Sequence, residues 1–487
     1  MENLKDKTAK GLFWGTINNG STQVLNLIIG IVLGRLLTPG DYGIVGVLAI
    51  FIALAGTLQA SGFTNGLINI KHPTDNDYNS VFWFNISTSI ILYIFLFFCA
   101  PLIASFFHQP CLVDVSRVLF LALIISALGI ACNAFMVKNM MNREIAIIAI
   151  ISLVVSGSSG IVLALLGYSY WSLVWQQLIY NLIFNLGRYY YVPWRPSLHV
   201  DMKPVKRMFS FSVKLLLTNI ISIINGNLLT AVFGRLFPIN SVGNYTQANK
   251  WSGMSNSIIS GAVNQITQTV FVSISENRDR EIRVFRKLIR FSAFLSFPMI
   301  LCLGLVAKEF IVVALGEKWA DSGVLLQILC IGGAFTPLYG IYQSLIISCG
   351  RSDIYMWGCI SQIFVQLLIV LTLFQYGITT IVWGYSILNI FWLIIWQVIA
   401  NRLFGIKHWD VIKDISPFLA ITVTVLFVAH ELTFGIDNNV ILLISRIIIA
   451  SILYLVIMKM LNVKIFKECM NFISKRIHEG IHCNSRL

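Results

Sequence analysis

The chain has 487 residues, of which 57% are hydrophobic and only 11% are charged, and its formal net charge is +14. Soluble domains carry about 25% charged residues, so this chain has too few to cover a water-exposed surface. The composition excludes a soluble globular protein and predicts an all-α membrane protein. Because a helix needs about 20 apolar residues to cross the bilayer, the length allows about fourteen transmembrane helices and little else.

Long apolar stretches place these helices along the chain. We predict spans at about residues 11–36, 42–62, 80–107, 117–137, 144–166, 168–192, 208–235, 243–272, 289–315, 322–348, 354–376, 378–403, 415–434 and 438–461. Turn residues separate them, as in Thr38-Pro39-Gly40-Asp41. Span 10 contains Gly332-Gly333 and Thr336-Pro337, which predicts a kink that is either a moving part or a static aid to packing.

The loop cations predict an orientation. Most of the 35 lysine and arginine residues fall in alternate loops, together with the two chain ends. Because cytoplasmic loops carry the excess of positive charge, both termini are predicted to lie in the cytoplasm of a bacterial inner membrane protein. Basic chains often bind nucleic acid, but these cations lie in short loops beside membrane helices. We therefore expect membrane lipids as partners and no nucleic acid.

A weak internal repeat indicates two related halves. Gly34-Arg35-Leu36-Leu37-Thr38-Pro39 is repeated two hundred residues later as Gly234-Arg235-Leu236-Phe237-Pro238. The alternative is that this motif is simply a common end for a hydrophobic helix. A true repeat predicts two six-helix lobes related by a pseudo-twofold axis along the membrane normal. The lobes would span residues 1–200 and 201–405, followed by two extra helices in 406–462 and a basic cytoplasmic tail in 463–487.

Polar side chains inside the spans are the candidate functional residues. Hydrocarbon does not solvate such groups, so they are expected to face a cavity or a partner helix. Span 1 carries Asn19, Gln23 and Asn26, and span 7 carries Asn225. Span 8 is polar over much of its length, which predicts a wet cleft or, alternatively, packing through small residues. Lys214 in span 7 would either snorkel to the interface or face a cavity.

Ionisable side chains near the C-terminal end each allow more than one role. His430 and Glu431 would form either a proton site or part of the membrane interface, and Arg446 would pair with Glu431 or a lipid phosphate. The tail contains His478-Glu479-Gly480-Ile481-His482, which matches a zinc-protease pattern. That chemistry needs a third ligand and a cleft, so we expect no metal, no cofactor and no catalytic residues.

Several motifs together suggest a family. They are Lys10-Gly11-Leu12-Phe13-Trp14, the run from Gly34 to Gly43, Val81-Phe82-Trp83-Phe84-Asn85, Ala100-Pro101-Leu102-Ile103-Ala104, Tyr170-Trp171-Ser172-Leu173-Val174, Pro193-Trp194-Arg195-Pro196, Gly243-Asn244-Tyr245, Gly316-Glu317-Lys318-Trp319 and Gly350-Arg351-Ser352-Asp353. In this order they resemble the oligosaccharide-lipid flippases of the polysaccharide transporter family, in the multidrug/oligosaccharidyl-lipid/polysaccharide superfamily. The resemblance implies two six-helix lobes around a central cleft.

The resemblance also implies a function. The substrate would be a polyprenyl-diphosphate-linked oligosaccharide, moved from the inner to the outer leaflet for O-antigen, capsule or exopolysaccharide synthesis. A polymerase and glycosyltransferases are possible partners. For the anionic headgroup we predict the cations Arg35, Lys214, Arg235 and Lys250, and for the sugars the amides Asn19, Gln23, Asn225 and Gln247. Alternating access by rocking of the lobes would be the mechanism.

Three other function classes remain open from the sequence. A cation-coupled multidrug exporter of the same superfamily would need acidic residues deep in a lobe, and the spans offer almost none. A polyprenyl-dependent glycosyltransferase or polymerase would need a sizeable loop with carboxylates. The third is a scaffold that transports nothing. The flippase is favoured because short loops and neutral polar spans fit transport better than catalysis.

Overall fold

The computed structural model describes residues 4–60, 66–68, 70, 72–198, 203–274, 278–468 and 470–471. Their side chains are described except at 4–13, 16, 17, 60, 203–215, 262, 264–266, 268–270 and 272–274. The described residues form helices and turns, with no β-strand. The chain divides into two compact units, Met1–Thr246 and Gln247–Leu487.

In the part of the chain that the structure describes, the first unit contains the following helices, the last of which continues into the second unit. They are α1 (Leu4–Leu36), α2 (Pro39–Ala60), α3 (Asp75–Phe107), α4 (Leu112–Leu119), α5 (Leu121–Leu128), α6 (Ile130–Lys138), α7 (Asn142–Leu165), α8 (Trp171–Tyr191), α9 (Lys203–Leu236) and α10 (Ile239–Ile274). Helix α7 packs against α1 and α8, while α9 packs against α2 and α3. These contacts place α9 with the first unit.

The second unit contains the rest of α10 and the remaining helices. They are α11 (Arg278–Leu305), α12 (Ala307–Leu315), α13 (Ala320–Gly333), α14 (Thr336–Ser348), α15 (Ser352–Leu373), α16 (Ile378–Phe404), α17 (His408–Leu432) and α18 (Asn439–Met460). Helix α13 ends at Gly333 and α14 begins at Thr336, with Pro337 in its first turn. The break in the predicted span 10 therefore lies where the sequence predicted the kink.

The helices confirm a multispanning α-helical membrane protein. Among the described residues, ten helical segments are long and apolar enough to cross a bilayer, or eleven if the bent pair Leu112–Leu128 and Ile130–Lys138 counts as one. Helices α1, α8 and α10 are 33, 21 and 36 residues long but are more polar. The total of fourteen spans and the lobe boundaries of residues 1–200 and 201–405 stay predictions.

Helix ends differ from the predicted spans where polar residues extend a helix. Helix α3 begins at Asp75 rather than near residue 80. Thr74 and Asp77 form a capping box there, in which the Asp77 carboxylate accepts from the Thr74 backbone N–H at 2.8 Å. Hydropathy does not detect such an extension, because its residues are polar and lie at the end of the apolar segment.

The repeated turn is present in both copies. Helix α1 ends at Leu36 and α2 begins at Pro39, while α9 ends at Leu236 and α10 begins at Ile239. In the first copy, the Asp41 carboxylate accepts from the Thr38 backbone N–H at 2.8 Å and from its hydroxyl at 2.7 Å. These bonds cap the start of α2. The matching helix ends support a true repeat over a chance recurrence of the motif.

Helix breaks at Phe120 and Gly129 divide the predicted span 4, and side chains satisfy the freed carbonyls. The Gln59 amide donates to Leu123 O at 3.0 Å, and the Asn185 amide donates to Ile125 O at 2.6 Å. The Tyr189 hydroxyl donates to Leu128 O at 2.8 Å. A broken helix is tolerated at membrane depth only when neighbouring groups make such bonds.

Ion pairs attach α17 and α18 to the second unit. The Arg286 guanidinium lies 2.6 Å from the Asp414 carboxylate, joining α11 to α17. The buried Arg446 guanidinium lies 2.7 Å from the Glu309 carboxylate, joining α18 to α12. The observed carboxylate partner of Arg446 is thus Glu309 and not the predicted Glu431, while pairing with a lipid phosphate stays a prediction.

Candidate functional site

A cavity of about 670 Å³ lies inside the first unit, between α1, α2, α7 and α8. Its lining combines apolar and polar side chains: Asn18, Thr22, Asn26, Tyr42, Val45, Gly46, Ala49, Ile145, Ala149, Leu153, Ser156, Leu173, Gln176, Gln177, Tyr180, Phe184 and Thr246. Ligand pockets usually have this mixture, in which apolar walls exclude water and a few polar groups set specificity.

Helix α1 contributes three polar residues at a spacing of four. Asn18, Thr22 and Asn26 line the cavity because residues four apart lie on the same helix face. The Thr22 hydroxyl donates to Asn18 O at 2.7 Å, one turn earlier. The side-chain oxygen of Asn18 is buried and accepts no hydrogen bond from a described residue. It is therefore available to a hydroxyl or N–H donor of a ligand.

Helix α8 forms the facing wall with a stripe of the same spacing. Gln176, Tyr180 and Phe184 follow one another along the cavity, and Gln177 lies beside them. The rings of Tyr180 and Phe184 are stacked, with centroids 5.5 Å apart and an interplanar angle of 18°. Stacked rings and side-chain amides give this wall both an apolar face and hydrogen-bonding groups.

Arg188 continues the stripe one turn beyond Phe184. Its guanidinium lies 4.3 Å from the centre of the Phe184 ring. Its Nη1 and Nη2 donate to the side-chain oxygens of Asn185 and Asn133, each at 3.0 Å. The amides fix the plane of the guanidinium without neutralising its charge.

The cavity is suited to a neutral, hydroxyl-rich ligand. None of the described residues that line it is acidic or basic. Asparagine and glutamine amides offer both donors and acceptors, as sugar hydroxyls do. The second unit contains a cavity of about 540 Å³ whose lining, including Phe294, Met299 and Tyr454, is almost wholly apolar. That cavity lacks a hydrogen-bonding set for sugars, so the first is the candidate site.

A family comparison agrees with the fold and the cavity. The profile of the family described as "Polysaccharide biosynthesis protein" matches residues 32–323, more than half of the chain. The chain belongs to this family. The suspected resemblance to polysaccharide transporters is confirmed.

Curated relatives carry names from the same area of biology. The chain is 26% identical over 362 residues to "Lipopolysaccharide biosynthesis protein WzxC" of Escherichia coli, covering 72% of each chain. It is 24% identical over 325 residues to "Succinoglycan biosynthesis transport protein ExoT" of Rhizobium meliloti, covering 66% of each chain. It is 22% identical over 396 residues to "Teichuronic acid biosynthesis protein TuaB" of Bacillus subtilis, covering 80% of this chain and 81% of the relative.

Solved structures identify the fold. The chain superposes on "Lipid II flippase MurJ, inward closed conformation" with a TM-score of 0.72 and 14% identity, covering 91% of this chain and 97% of that one. It also matches an inward-facing multidrug resistance transporter of the MATE family in the MOP superfamily, with a TM-score of 0.64 and 16% identity over 80% of this chain and 98% of that one. This member of the polysaccharide biosynthesis family therefore has the MOP transporter fold.

The predicted sugar-binding residues of α1 lie beside the cavity lining. Asn19 is exposed and Gln23 is half-buried, and neither lines the cavity. The sequence indicated a polar helix but not which of its two adjacent faces lines the cavity. The prediction missed the α8 stripe. Its signal is the spacing of Gln176, Tyr180, Phe184 and Arg188 at four-residue intervals.

The predicted cations of the first unit lie at helix ends. Arg35 and Arg235 are exposed in the last turns of α1 and α9. Arg235 Nη1 donates to Phe106 O at 2.9 Å and lies 2.5 Å from Nδ1 of His108. The Lys214 side chain lies outside the described residues. Asn225 on α9 is half-buried.

The two predicted residues of the second unit lie on α10. Gln247 is fully buried, and its side-chain nitrogen and oxygen have no hydrogen-bond partner among the described residues. Lys250 is exposed, and its Nζ lies 5.9 Å from the ring centre of Trp251. None of the seven predicted residues whose side chains are described lines the 670 Å³ cavity, and the roles of all eight stay predictions. The histidine-rich tail motif at 478–482 lies outside the described residues.

Proposed function

We propose that this protein is a secondary transporter that flips a polyprenyl-diphosphate-linked oligosaccharide from the inner to the outer leaflet of the bacterial plasma membrane. The oligosaccharide would feed the synthesis of a surface polysaccharide. Family membership supports this proposal, as do the relatives named for lipopolysaccharide, succinoglycan and teichuronic acid biosynthesis. The names of ExoT and MurJ denote transport and flipping, which supports a transporter rather than an enzyme.

The observation that carries the proposal is the uncharged amide-lined cavity. Asn18, Thr22, Asn26, Gln176 and Gln177 surround a space inside the membrane-embedded first unit. A drug-sized apolar cation would gain little from these amides, whereas an oligosaccharide would exchange its hydrogen bonds with water for bonds to them. Stacked Tyr180 and Phe184 add an apolar surface for the faces of sugar rings.

Alternating access between the two repeats would move the headgroup while the prenyl chain stays in lipid. Both termini would lie in the cytoplasm, and the lobes would comprise residues 1–200 and 201–405. Arg35, Lys214, Arg235 and Lys250 would attract the diphosphate, and Asn19, Gln23, Asn225 and Gln247 would contact sugars during the passage. Polysaccharide polymerases and glycosyltransferases are the expected partners.

Reconstituted vesicles test the proposal directly. A fluorescent polyprenyl-diphosphate oligosaccharide is incorporated in both leaflets, and a reagent outside the vesicles destroys the label it reaches. The full chain should make the inner pool accessible within minutes without ATP. The double substitution Lys214→Ala and Lys250→Ala should abolish flipping at normal protein levels. If label loss with the wild-type chain were no faster than in vesicles without protein, the proposal would be refuted. Full activity of the double variant would refute the roles of these two lysines.

A cation-coupled drug exporter is the alternative that shares the fold. Coupling to a cation would favour a carboxylate in the cavity, and none of the lining residues is acidic. The same vesicles distinguish the two functions. Export of ethidium driven by a proton or sodium gradient, without flipping of the oligosaccharide lipid, would favour the exporter.

A further inference from the structure

The α8 stripe changes in chemistry along its length. Gln176, Tyr180 and Phe184 line the cavity, and Arg188 follows at the same spacing. The Arg188 guanidinium covers the ring of Phe184 at 4.3 Å, so the cation lies next to the cavity lining. We propose that Arg188, held by Asn133 and Asn185, is a further diphosphate-binding residue of the first unit and that the sugar occupies the adjoining cavity. This assignment rests on the proposed function.

The charge of Arg188 is not compensated by the described residues. No described carboxylate lies within the 4.0 Å ion-pair distance of its guanidinium, whereas Arg286 and Arg446 each have one. Its two hydrogen-bond partners among the described residues, Asn133 and Asn185, are neutral amides. A partly buried cation without a counter-charge costs free energy, and an anionic ligand would recover it.

The geometry of the guanidinium fits a diphosphate. The two amide bonds use two of its five N–H donors, which leaves three for phosphate oxygens. Because Nη1 and Nη2 are both held, the plane of the group is fixed before a ligand arrives, so less side-chain entropy is lost on binding. Arginine binds phosphate oxygens in pairs, which a lysine ammonium does not.

The position of Arg188 fits entry from the inner leaflet. It lies in the last turn of α8, at the end predicted to face the cytoplasm. The start of α7 lies at the same predicted side, where the Arg143 guanidinium is 5.7 Å from the Trp14 ring centre. A lipid-linked sugar approaching from that side would place its diphosphate near these two cations and its sugar farther in.

A structural role in bracing the break in span 4 is the competing explanation. The backbone carbonyls at the helix break accept hydrogen bonds from the side chains of Asn185 and Tyr189, not from Arg188. Among the described residues, the Arg188 guanidinium donates hydrogen bonds to the side-chain oxygens of Asn133 and Asn185. The guanidinium therefore bonds none of these carbonyls itself and reaches the break through Asn185, which leaves its remaining N–H groups for a ligand.

Binding of farnesyl diphosphate to the full chain in phosphatidylcholine nanodiscs tests the assignment. Farnesyl phosphate and farnesol are the comparison probes, and neutral lipid avoids competition by anionic headgroups. The wild-type chain should prefer farnesyl diphosphate over farnesol. Arg188→Gln should weaken diphosphate binding by about ten- to hundred-fold, because hydrogen bonds to a charged group are lost. Arg188→Lys should retain part of the affinity and lose the preference for diphosphate over monophosphate. Arg195→Gln is the matched control and should bind like the wild type.

A measurement on the unmodified chain covers the case in which the variants do not fold. Phenylglyoxal modifies arginine side chains, and mass spectrometry locates the adducts. Farnesyl diphosphate should protect Arg188 and leave Arg195 unprotected, whereas farnesol should protect neither. Absence of protection, or wild-type affinity in a folded Arg188→Gln variant, would overturn the assignment.

The vesicle assay separates this outcome from a failure of the proposed function. Normal flipping by a folded Arg188→Gln variant refutes the diphosphate site and leaves the flippase proposal standing. Absence of flipping by the wild-type chain refutes the proposed function, whichever result the binding experiment gives. Protection of Arg188 together with impaired flipping by the Gln variant supports both.

Discussion

Gly43 and Gly243 meet at the two copies of the repeated turn. A Cβ built on Gly243 would lie 3.1 Å from the Gly43 backbone nitrogen and would overlap the carbonyl oxygen of Pro39. A Cβ on Gly43 would overlap the carbonyl oxygen of Ile239. The starts of α2 and α10 therefore touch through their backbones. By the predicted topology this contact lies at the outer face.

Adding a methyl group at Gly243 should push the starts of α2 and α10 apart. Gly243→Ala cannot be accommodated by rotating a flexible side chain, because the opposing atoms belong to the backbone. Overpacking of this kind typically costs about 1–3 kcal/mol. We expect a lower Tm for the purified protein in detergent and slower flipping in vesicles. Gly253→Ala, in the same helix with no atom within 4 Å of its added Cβ, is the control. Equal Tm values for the two variants would show that the contact does not constrain the chain.

Much of the fold could be predicted because its signals are local. Apolar runs indicate the spans, and the residues from Thr38 to Asp41 form the predicted turn through bonds within four positions. The cavity could not be predicted in the same way. Asn18 and Asn19 are adjacent polar residues on one polar helix, and only the packing of α7 and α8 decides which of them lines the cavity. The pairing of Arg446 with Glu309 joins residues 137 positions apart, and no local pattern encodes it.

The two faces of α1 give opposite expectations for substitution. Asn18→Ala removes an amide from the cavity wall, whereas Asn19→Ala changes an exposed side chain outside the lining. We expect Asn18→Ala to reduce flipping of the oligosaccharide lipid by about five- to tenfold, since one hydrogen bond contributes about 1 kcal/mol. Asn19→Ala is the matched control with the same chemical change. A larger loss in Asn19→Ala would favour the face predicted from the sequence over the cavity.

The second pair, Thr22→Val and Gln23→Leu, repeats this comparison one turn further along α1. Thr22 lines the cavity and Gln23 does not. Initial flipping rates at matched protein levels are the measurement, with size-exclusion profiles to verify folding. Agreement between the two pairs would establish which face of α1 contacts the substrate.

Gln59 should stabilise the break between α4 and α5. Its amide nitrogen donates to Leu123 O at 3.0 Å, and its oxygen accepts from the Ser126 hydroxyl at 3.1 Å. Gln59→Leu would remove this buried hydrogen bond and leave the Ser126 hydroxyl, at 3.0 Å, as the side-chain donor to Leu123 O, which costs about 0.5–1.5 kcal/mol. We expect a lower Tm in nanodiscs. Thr57→Val is a suitable control because the Thr57 hydroxyl bonds only Ala53 O of its own helix. No difference in Tm between the two variants would contradict this role.

Arg446 should contribute to stability through Glu309 rather than through Glu431. Its Nη1 donates to the Glu309 carboxylate at 2.7 Å, and the two side chains are only 8% and 15% exposed. Its Nε donates to the Thr433 hydroxyl at 3.2 Å, and its Nη2 lies 3.1 Å from Nδ1 of His430.

Removing one member of this buried pair leaves the other charge without its partner. Arg446→Leu and Glu309→Leu should each lower the free energy of unfolding by about 3–5 kcal/mol, and the double variant should recover most of the loss. Glu431→Leu, at an exposed position, should change stability little. Thermal unfolding of the four variants in nanodiscs is the measurement. Additive losses in the double variant would mean that the two residues act independently, and a large loss in Glu431→Leu would restore the pairing predicted from the sequence.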